Sequence, residues 1–309
     1  MLTRASAQPG LAAAAARSVA PAALAWLRSG LRGRILHVFD RAAYLIDERG
    51  EILLLAAPPV GMGPFTLLAD FQGLPLAETL SIDEPTWVRH DHLSVGEFSI
   101  RLDTATPWRA APDWETLRRR GASWFSALPA IRQVLRSHGR GGVFAGFAAE
   151  EPVSGERSID EHLGLSARKA ADELLETLWS GDEATLTRSA YGLAGLGKGF
   201  TPSGDDFLMG TMFALWAAMP AETARRRSRW LSGATAKRTT RASAAWLTAA
   251  ARGEAAEAWH SLFASLAGDR IDEAQPAARR ILQTGHTSGE DALIGFVGGV
   301  ECLLTRATR

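Results

Sequence analysis

Several features that would place this chain in a specialised class are missing from its sequence. It has a single cysteine, Cys302, so no internal disulfide can form, and a reducing cytoplasmic location fits. No run of 18 apolar residues occurs, so we expect no membrane span. The 34 basic residues are balanced by 34 acidic ones, which gives no support to nucleic-acid binding. What remains is an ordinary globular composition, 46% hydrophobic, in a chain of 309 residues that is long enough for two domains.

Acidic residues are also missing from residues 1–32, which are rich in alanine and contain four arginines. This composition superficially resembles a targeting segment, but Arg17 interrupts the apolar run, and residues 11–16 are too short and too weakly apolar for a signal core. We therefore predict an N-terminal tail that is frayed and is followed by a short helix, Pro21 to Arg28.

Short apolar or alternating runs dominate residues 33–110. They are separated by turn-forming residues, as expected for a chain of small strands, and they cover residues 34–39, 43–46, 52–55, 65–68, 86–88 and 98–102. We predict about six strands closed as a small barrel, although the spacing alone also allows an open sheet.

His90-Asp91-His92 lies between two of these runs. On a strand, His90 and His92 would face the same side and could both bind a metal ion. No third ligand can be assigned from the sequence, so we favour a surface loop or strand edge and assign no metal ligand.

Helical periodicity replaces the strand pattern after Asp113. Amphipathic helices are expected between Trp114 and Leu135, with a break near Pro129. Further helices are predicted over residues 166–180, 182–194, 203–219, 221–232, 240–251, 255–267, 269–284 and 288–305. The predicted fold class is therefore α+β, with a β-barrel-like domain at 33–110 followed by an all-α domain at 111–309.

A glycine-rich stretch, residues 195–210, precedes one of these helices. Ser203 with Asp206 three residues later fits a capping box, which makes Ser203 the predicted N-cap. The first amides of such a helix favour an anion, the glycines allow the backbone to approach a ligand, and Lys198 adds a cation. The alternative is a tight, well-capped turn between helices. No Gly-Lys-Ser or Gly-Lys-Thr follows, so this is not the phosphate loop of nucleotide hydrolases.

A second copy of this pattern occurs 85 residues later in the chain. Residues 203–210 and residues 288–295 share the form Ser-Gly-acid-Asp-x-Leu-apolar-Gly, and a threonine precedes each, Thr201 and Thr287. Each copy predicts a helix start with a glycine about two turns in, where another helix can pack closely. We infer two similar helix N-termini, related by a pseudo-twofold axis, that converge on one pocket. Independent capping of two helices is the alternative.

A third motif, residues 237–243, also marks a helix start. Thr240 and Ser243 are three residues apart, so on a helix their hydroxyls share a face. A capped helix with exposed cations explains the motif by itself. Together, the three starts favour a pocket lined by helix N-termini that binds a small anion carrying carboxylate, phosphate or both.

These segments carry a family resemblance. The stretch from Gly195 to Phe207, the run Thr239 to Ser243, and the run Gly285 to Gly289 resemble the three signature segments of the family of the H subunit of oxamate carbamoyltransferase. The resemblance is specific between about residues 186 and 304 and weak before that. One departure is Glu290, where the family often has an aromatic residue.

The resemblance implies an N-terminal barrel and a role in allantoin breakdown, part of purine catabolism. The implied reaction converts oxalurate and phosphate into oxamate and carbamoyl phosphate, or the reverse, within a cytoplasmic enzyme of several subunits.

We assign roles on this basis as a hypothesis. The amides of Gly197 to Gly199 and of Gly204 to Asp205 would bind the anion with help from Lys198. Asp205 or Asp206 would be the general base, with Asp205 preferred if Asp206 caps its own helix. His286 would be a proton carrier or would polarise the carbonyl group. The predicted substrate-binding residues are Gly197, Lys198, Gly199, Thr201, Ser203, Gly204, Thr240, Arg241, Ser243, Thr287, Ser288 and Gly289.

Two other functions stay open at this stage. The chain would be a noncatalytic subunit that binds a ligand or supports assembly, or it would be a Mg²⁺-dependent hydrolase or phosphotransferase whose ligands are Asp205, Asp206 and Asp291. No cofactor is certain, and Mg²⁺ is the one that the carboxylates would suit.

Overall fold

The computed structural model of the protein describes residues 12–147, 159–179 and 181–307. The chain divides into two compact units, with the division between Ala110 and Ala111. The first unit is built mainly from strands and the second from helices, so the predicted α+β class is confirmed.

Eight strands of the first unit form a closed barrel. Its strands are β1 (Ala12–Val19), β2 (Gly33–Phe39), β3 (Ala42–Asp47), β4 (Ile52–Ala56), β5 (Thr66–Asp70), β6 (Pro85–Arg89), β7 (His92–Val95) and β8 (Phe98–Arg101). Around the ring they follow the order β5, β4, β3, β2, β6, β7, β8, β1, and β1 pairs with β5 to close it. A ninth strand, β9 (Thr106–Pro107), adds to β1, and two helices, α1 (Pro21–Arg28) and α2 (Leu76–Thr79), lie between strands.

The alanine-rich segment closes this barrel, so the prediction of a frayed tail is wrong for Ala12–Val19. The strand pairs in parallel with β8 along its first half and antiparallel with β5 along its second half. Ala14 and Ala16 face the core at 7% and 2% exposure, whereas Ala13 and Arg17 are exposed. Alanine on both faces hides the alternation that marks a strand, and pairing to two otherwise open edges determines the conformation. The helix predicted at Pro21–Arg28 is present with those bounds.

The barrel encloses one hydrophobic core. Strands alternate between core-facing and outward-facing residues, and core-facing side chains include Ile35, Leu45, Leu53, Leu55, Leu67, Leu93 and Ile100. β7 escaped prediction because its two core residues, Leu93 and Val95, alternate with His92 and Ser94 over only four positions.

His90 and Asp91 form the turn between β6 and β7, and His92 is the first residue of β7. His90 has a φ of 51°, and His92 Nδ1 lies 2.8 Å from Asp91 Oδ1. The two histidines therefore do not share a strand face, in agreement with the loop that the sequence favoured.

Twelve α-helices occur in the part of the chain that the structure describes, ten of them in the second unit. Those ten are α3 (Trp114–Arg119), α4 (Leu128–His138), α5 (Ile159–Leu178), α6 (Glu183–Leu193), α7 (Ser203–Ala218), α8 (Ala221–Thr235), α9 (Arg241–Ala251), α10 (Glu257–Ala267), α11 (Ile271–Leu282) and α12 (Ser288–Ala307). The expected break near Pro129 is present, since α4 begins at Leu128 and proline is tolerated in a helix's first turn. None of the helices in the described ranges is long and apolar enough to cross a bilayer.

Helices α7 and α12 cross at the centre of the helical unit. A Cβ atom on Gly210 would lie 1.8 Å from the carbonyl oxygen of Ala292, and one on Gly295 would lie 2.1 Å from that of Phe207. Gly210 and Gly295 occupy the same place in the two sequence copies, as do Phe207 and Ala292. The contact is therefore reciprocal, as a pseudo-twofold axis requires, and it depends on the absence of a side chain at both glycines.

Candidate functional site

The two copies of the serine-glycine motif share one local architecture. In each copy, a short turn connects the start of the helix to the preceding helix, which is α6 in the first copy and α11 in the second. A Cβ on Gly204 would lie 2.0 Å from Leu193 O, and one on Gly289 would lie 1.8 Å from Ile281 O. Both glycines therefore let the start of a helix pack against the end of the helix before it, and neither has a side chain or surface to offer a ligand.

The two turns meet through their hydroxyl groups. Thr201 Oγ1 lies 2.9 Å from Ser288 Oγ and donates to Asp206 Oδ2 at 3.2 Å. Thr201, Thr287 and Ser288 are half-buried, whereas Asp206 and Asp291 are 6% and 0% exposed. The structure thus places a layer of hydroxyls from both copies next to a buried pair of aspartates.

Burial changes the ionisation of these two aspartates. Burial is the largest cause that raises the pKa of Asp206 well above its ordinary value, and the charge of Asp291 raises it further. Burial likewise raises the pKa of Asp291 to about 6, with a smaller contribution from Glu290. Both carboxyls therefore keep a proton to higher pH than an exposed aspartate does.

Each copy's serine acts on the aspartate of the other copy. The Ser288 hydroxyl is the largest influence that lowers the pKa of Asp206, and the Ser203 hydroxyl is the largest that lowers the pKa of Asp291. Asp291 Oδ1 also accepts the Phe144 amide at 3.2 Å, while its Oδ2 is buried with no hydrogen-bond partner among the described residues. A buried carboxyl oxygen of this kind is available for a proton.

The prediction that Ser203 caps α7 is wrong. Pro202 is the N-cap residue, in an extended conformation, and Ser203 is the first residue of the helix. A proline ahead of the serine fixes that backbone, so the serine hydroxyl is released from capping and acts on Asp291.

The amides of Gly204 and Asp205 are also not the anion donors that the sequence suggested. Gly204 N donates to Leu196 O at 2.8 Å, and Asp205 N donates to Pro202 O at 3.0 Å. Because these donors are used within the turn, they are unavailable to a ligand. Gly289 N is used in the same way, by Thr284 O at 3.1 Å.

The glycine loop ahead of α7 presents different amides. Gly197 and Gly199 have φ values of 109° and 107°, which other residues rarely adopt. No described residue accepts a hydrogen bond from either amide. Gly199 and Lys198 are exposed, so the loop offers backbone donors and a cation beside Thr201.

Asp205 is an anchor and not a free base. One carboxyl oxygen accepts the Gly195 amide at 3.0 Å, and the other accepts the hydroxyls of Thr239 and of Ser243, the latter at 2.8 Å. The side chain is 1% exposed, and burial raises its pKa, with the Thr239 hydroxyl as the largest opposing influence. The third sequence motif therefore holds the first turn in place through Asp205.

Thr240 adds a contact of its own between the third motif and the turn before α7. Thr240 caps α9 by accepting the Ser243 amide at 3.1 Å, as the motif predicts, and it donates to Phe200 O at 2.9 Å. Arg241 is exposed. His286 is exposed too, in the turn that leads to Ser288.

One part of the site was not predicted from the sequence. Residues 139–144 lie against the start of α12, where the carboxylate of Glu290 accepts the amides of Arg140 at 2.7 Å and of Gly142 at 3.2 Å. The glycines at 139, 141 and 142 were the available signal, since an acid next to a glycine-rich loop is a common way to fix such a loop. Nothing in the sequence pairs that loop with Glu290, 150 residues away.

The three carboxylates considered as Mg²⁺ ligands do not act as a set. Asp205 is directed to its own three donors, whereas Asp206 and Asp291 belong to the paired turns. In the ranges that the structure describes, no three histidine, cysteine, aspartate or glutamate side chains are grouped to hold a metal ion.

Comparisons with known proteins agree with the fold. A family model described as oxamate carbamoyltransferase subunit AllH matches residues 193–300, and a model of the AllH family N-terminal domain matches residues 14–107. Searches of curated proteins and of solved structures gave no match. The first range contains both serine-glycine turns and the Thr239–Ser243 motif, and the second contains the barrel. The chain therefore belongs to the AllH family, that of the oxamate carbamoyltransferase subunit AllH.

Proposed function

We propose that this chain is the carbamoyltransferase subunit that binds the small anionic substrates, and that the paired turns before α7 and α12 form its substrate site. The observation that carries the proposal is the contact between Thr201 and Ser288 beside two buried aspartates. The family resemblance supplies the substrates, which are carbamoyl phosphate and oxamate in one direction and oxalurate and phosphate in the other.

The surroundings of the turns suit anions. The amides of Gly197 and Gly199, the cation of Lys198 and the N-terminus of α7 all favour negative charge. The hydroxyls of Thr201, Thr287 and Ser288 both donate and accept hydrogen bonds, so they can bind the oxygens of phosphate and the amide groups of the carbamoyl compounds.

The aspartate pair can accept the proton that the reaction releases. In the direction of oxalurate synthesis, the oxamate nitrogen forms a bond to the carbamoyl carbon, the bond from that carbon to the phosphate oxygen breaks, and phosphate leaves with the electron pair. The nitrogen loses one proton, which we assign to the ionised Asp291 by way of a neighbouring hydroxyl. Burial raises the pKa of Asp206 well above its ordinary value, so we assign the role of base to Asp291, whose pKa is raised to about 6.

His286 remains the alternative proton carrier because it is exposed in the same turn. The proposal includes other subunits, as the family description implies, and a cytoplasmic enzyme of allantoin and purine breakdown, which the single cysteine favours.

A binding experiment on the full chain tests the proposal. The wild type, Ser288→Ala and the control Ser261→Ala are titrated with carbamoyl phosphate, oxamate and inorganic phosphate while unfolding temperature is recorded. Ser261 is a matched control because its hydroxyl donates only to Glu257 O of its own helix, at 3.3 Å.

We expect a saturable rise in unfolding temperature for the wild type and the control, and an affinity about tenfold weaker for Ser288→Ala. Equal affinity in all three proteins would overturn the placement of the site. Turnover measured on the same sample decides whether the chain is catalytic alone or binds substrate for chemistry that needs its partner subunits.

A further inference from the structure

The loop of residues 139–144 is fixed to the second turn by buried acids. Glu290, 4% exposed, accepts the backbone amides of Arg140 and Gly142, and Asp291 accepts that of Phe144. A Cβ on Gly142 would lie 2.6 Å from Asp291 Oδ1, so a larger residue there would displace this carboxyl group. The backbone of Arg140 is therefore held at the start of α12.

The side chain of Arg140 is held against the same turn. Its Nη1 donates to Gly285 O at 3.1 Å and to His286 O at 3.3 Å, just ahead of Thr287 and Ser288. The residue is exposed, and its remaining guanidinium donors have no hydrogen bond or ion pair with any described residue. A fixed guanidinium with free donors is thus present beside the hydroxyls of the paired turns.

The acid at the equivalent position of the first turn accepts hydrogen bonds from different segments of the chain. Asp205, aligned with Glu290, accepts the amide of Gly195 and the hydroxyls of Thr239 and Ser243. The first turn therefore has the glycine loop and Lys198, and the second turn has Arg140. The two turns offer different cations although their helix starts are alike.

We propose that Arg140 binds the carboxylate of oxamate and oxalurate, and that Glu290 is the residue that positions it; this inference rests on the proposed function of the paired turns. The guanidinium is a planar fork that matches a carboxylate with two parallel hydrogen bonds, whereas the Lys198 ammonium is a point charge suited to phosphate. The second turn is accordingly the carboxylate subsite, and the glycine loop is the phosphate subsite.

The test measures the binding of oxamate and the binding of inorganic phosphate separately. Affinities for oxamate and for inorganic phosphate are measured by calorimetry on the full chain, in the wild type, Arg140→Ala, Arg140→Lys and the control Arg136→Ala. Arg136 is an exposed arginine whose guanidinium donates to the Gln133 side chain at 2.9 Å, so its loss controls for net charge.

We expect Arg140→Ala to weaken oxamate binding at least about tenfold, with phosphate affinity changed by less than about twofold. Arg140→Lys is expected to recover only part of the loss, because the ammonium lacks the fork. Glu290→Ala is expected to weaken oxamate binding as Arg140→Ala does, and Glu290→Gln to restore most of it, since its amide oxygen still accepts from the loop.

Each outcome bears on one of the two proposals. Oxamate affinity that is unchanged in Arg140→Ala, or a parallel loss of both anions in Arg140→Ala and Arg140→Lys, would overturn the carboxylate assignment and leave the paired turns as the site. Failure of the wild type to bind either anion would overturn the proposed function itself.

Discussion

Four buried acids define the chemistry of the helical unit at the scale of single residues. Asp205 and Glu290, which share one position of the repeated motif, accept hydrogen bonds from neighbouring segments and so act as anchors. Asp206 and Asp291, one position later, lie with the serine of the other copy and have raised pKa values. Burying a carboxylate is unfavourable unless it is hydrogen-bonded or protonated, and burial raises the pKa of Asp205 as well as those of Asp206 and Asp291.

The raised pKa of Asp291 predicts a pH dependence of stability. The folded protein holds the proton of this group up to about pH 6, whereas the unfolded chain loses it near its ordinary value of 3.8. Between these values the folded state binds more protons, so this group's contribution lowers the free energy of unfolding as pH rises. Asp291→Asn removes that contribution, and relative to the wild type it should gain on the order of 2 to 3 kcal/mol between about pH 4 and about pH 7.

Urea unfolding of both proteins across this range measures the effect, with Asp272→Asn, an exposed site on α11, as the control. If the curves of wild type and Asp291→Asn stayed parallel from about pH 4 to about pH 7, Asp291 would have an ordinary pKa, and its role as the base of the pair would be lost.

Close approaches at repeated glycines organise the next scale, that of whole elements. The repeated glycines, Gly210 and Gly295, let the backbones of α7 and α12 come into direct contact. Gly204 and Gly289 let the start of each of these helices pack against the end of the helix before it. The sequence predicted the close approach because small residues recur at one position of both copies. The structure confirms that part of the prediction and adds that the contact is reciprocal.

Gly210→Ala should disrupt this crossing. The new methyl group would meet backbone atoms, Ala292 O and Phe296 N, which cannot rotate away as a side chain can. We expect a loss of at least about 3 kcal/mol in the free energy of unfolding, measured by denaturant titration.

Gly233→Ala on α8 is the matched control because nothing lies within 4 Å of its added Cβ. It should stabilise the protein by about 0.5 to 1 kcal/mol, as alanine does in place of glycine within a helix. A Gly210→Ala protein as stable as the Gly233→Ala protein would show that the helices do not pack at this distance.

Helices were easier to predict than strands, for physical reasons that particular segments illustrate. The limits of the helices from α6 to α12 were predicted to within a few residues, because aspartate, serine, threonine, proline and glycine near their ends mark where a helix begins or stops. β1 has no such signal, because alanine occupies both of its faces and only the edges of β5 and β8 make it a strand. The loop at 139–144 depends in the same way on a partner that is distant in sequence, Glu290.

At the scale of the whole molecule, each compact unit has its own hydrophobic core, and the candidate site belongs to the helical unit. Its parts are four segments that are distant in the chain, around residues 139–144, 195–206, 239–243 and 284–291. The sequence identified three of them by motif, and it predicted that the three helix starts line one pocket. It did not separate anchors from candidate ligands, because which donors a carboxylate accepts depends on the packed structure.

Hydrogen exchange of the full chain in carbamoyl phosphate and oxamate, read by mass spectrometry, tests most directly the claim that the two turns form one site. We expect the amides of residues 195–201 and of residues 284–288 to gain protection together at saturating ligand, with the barrel strands unchanged. Protection of one turn without the other, or of neither while ligand is bound, would contradict the account.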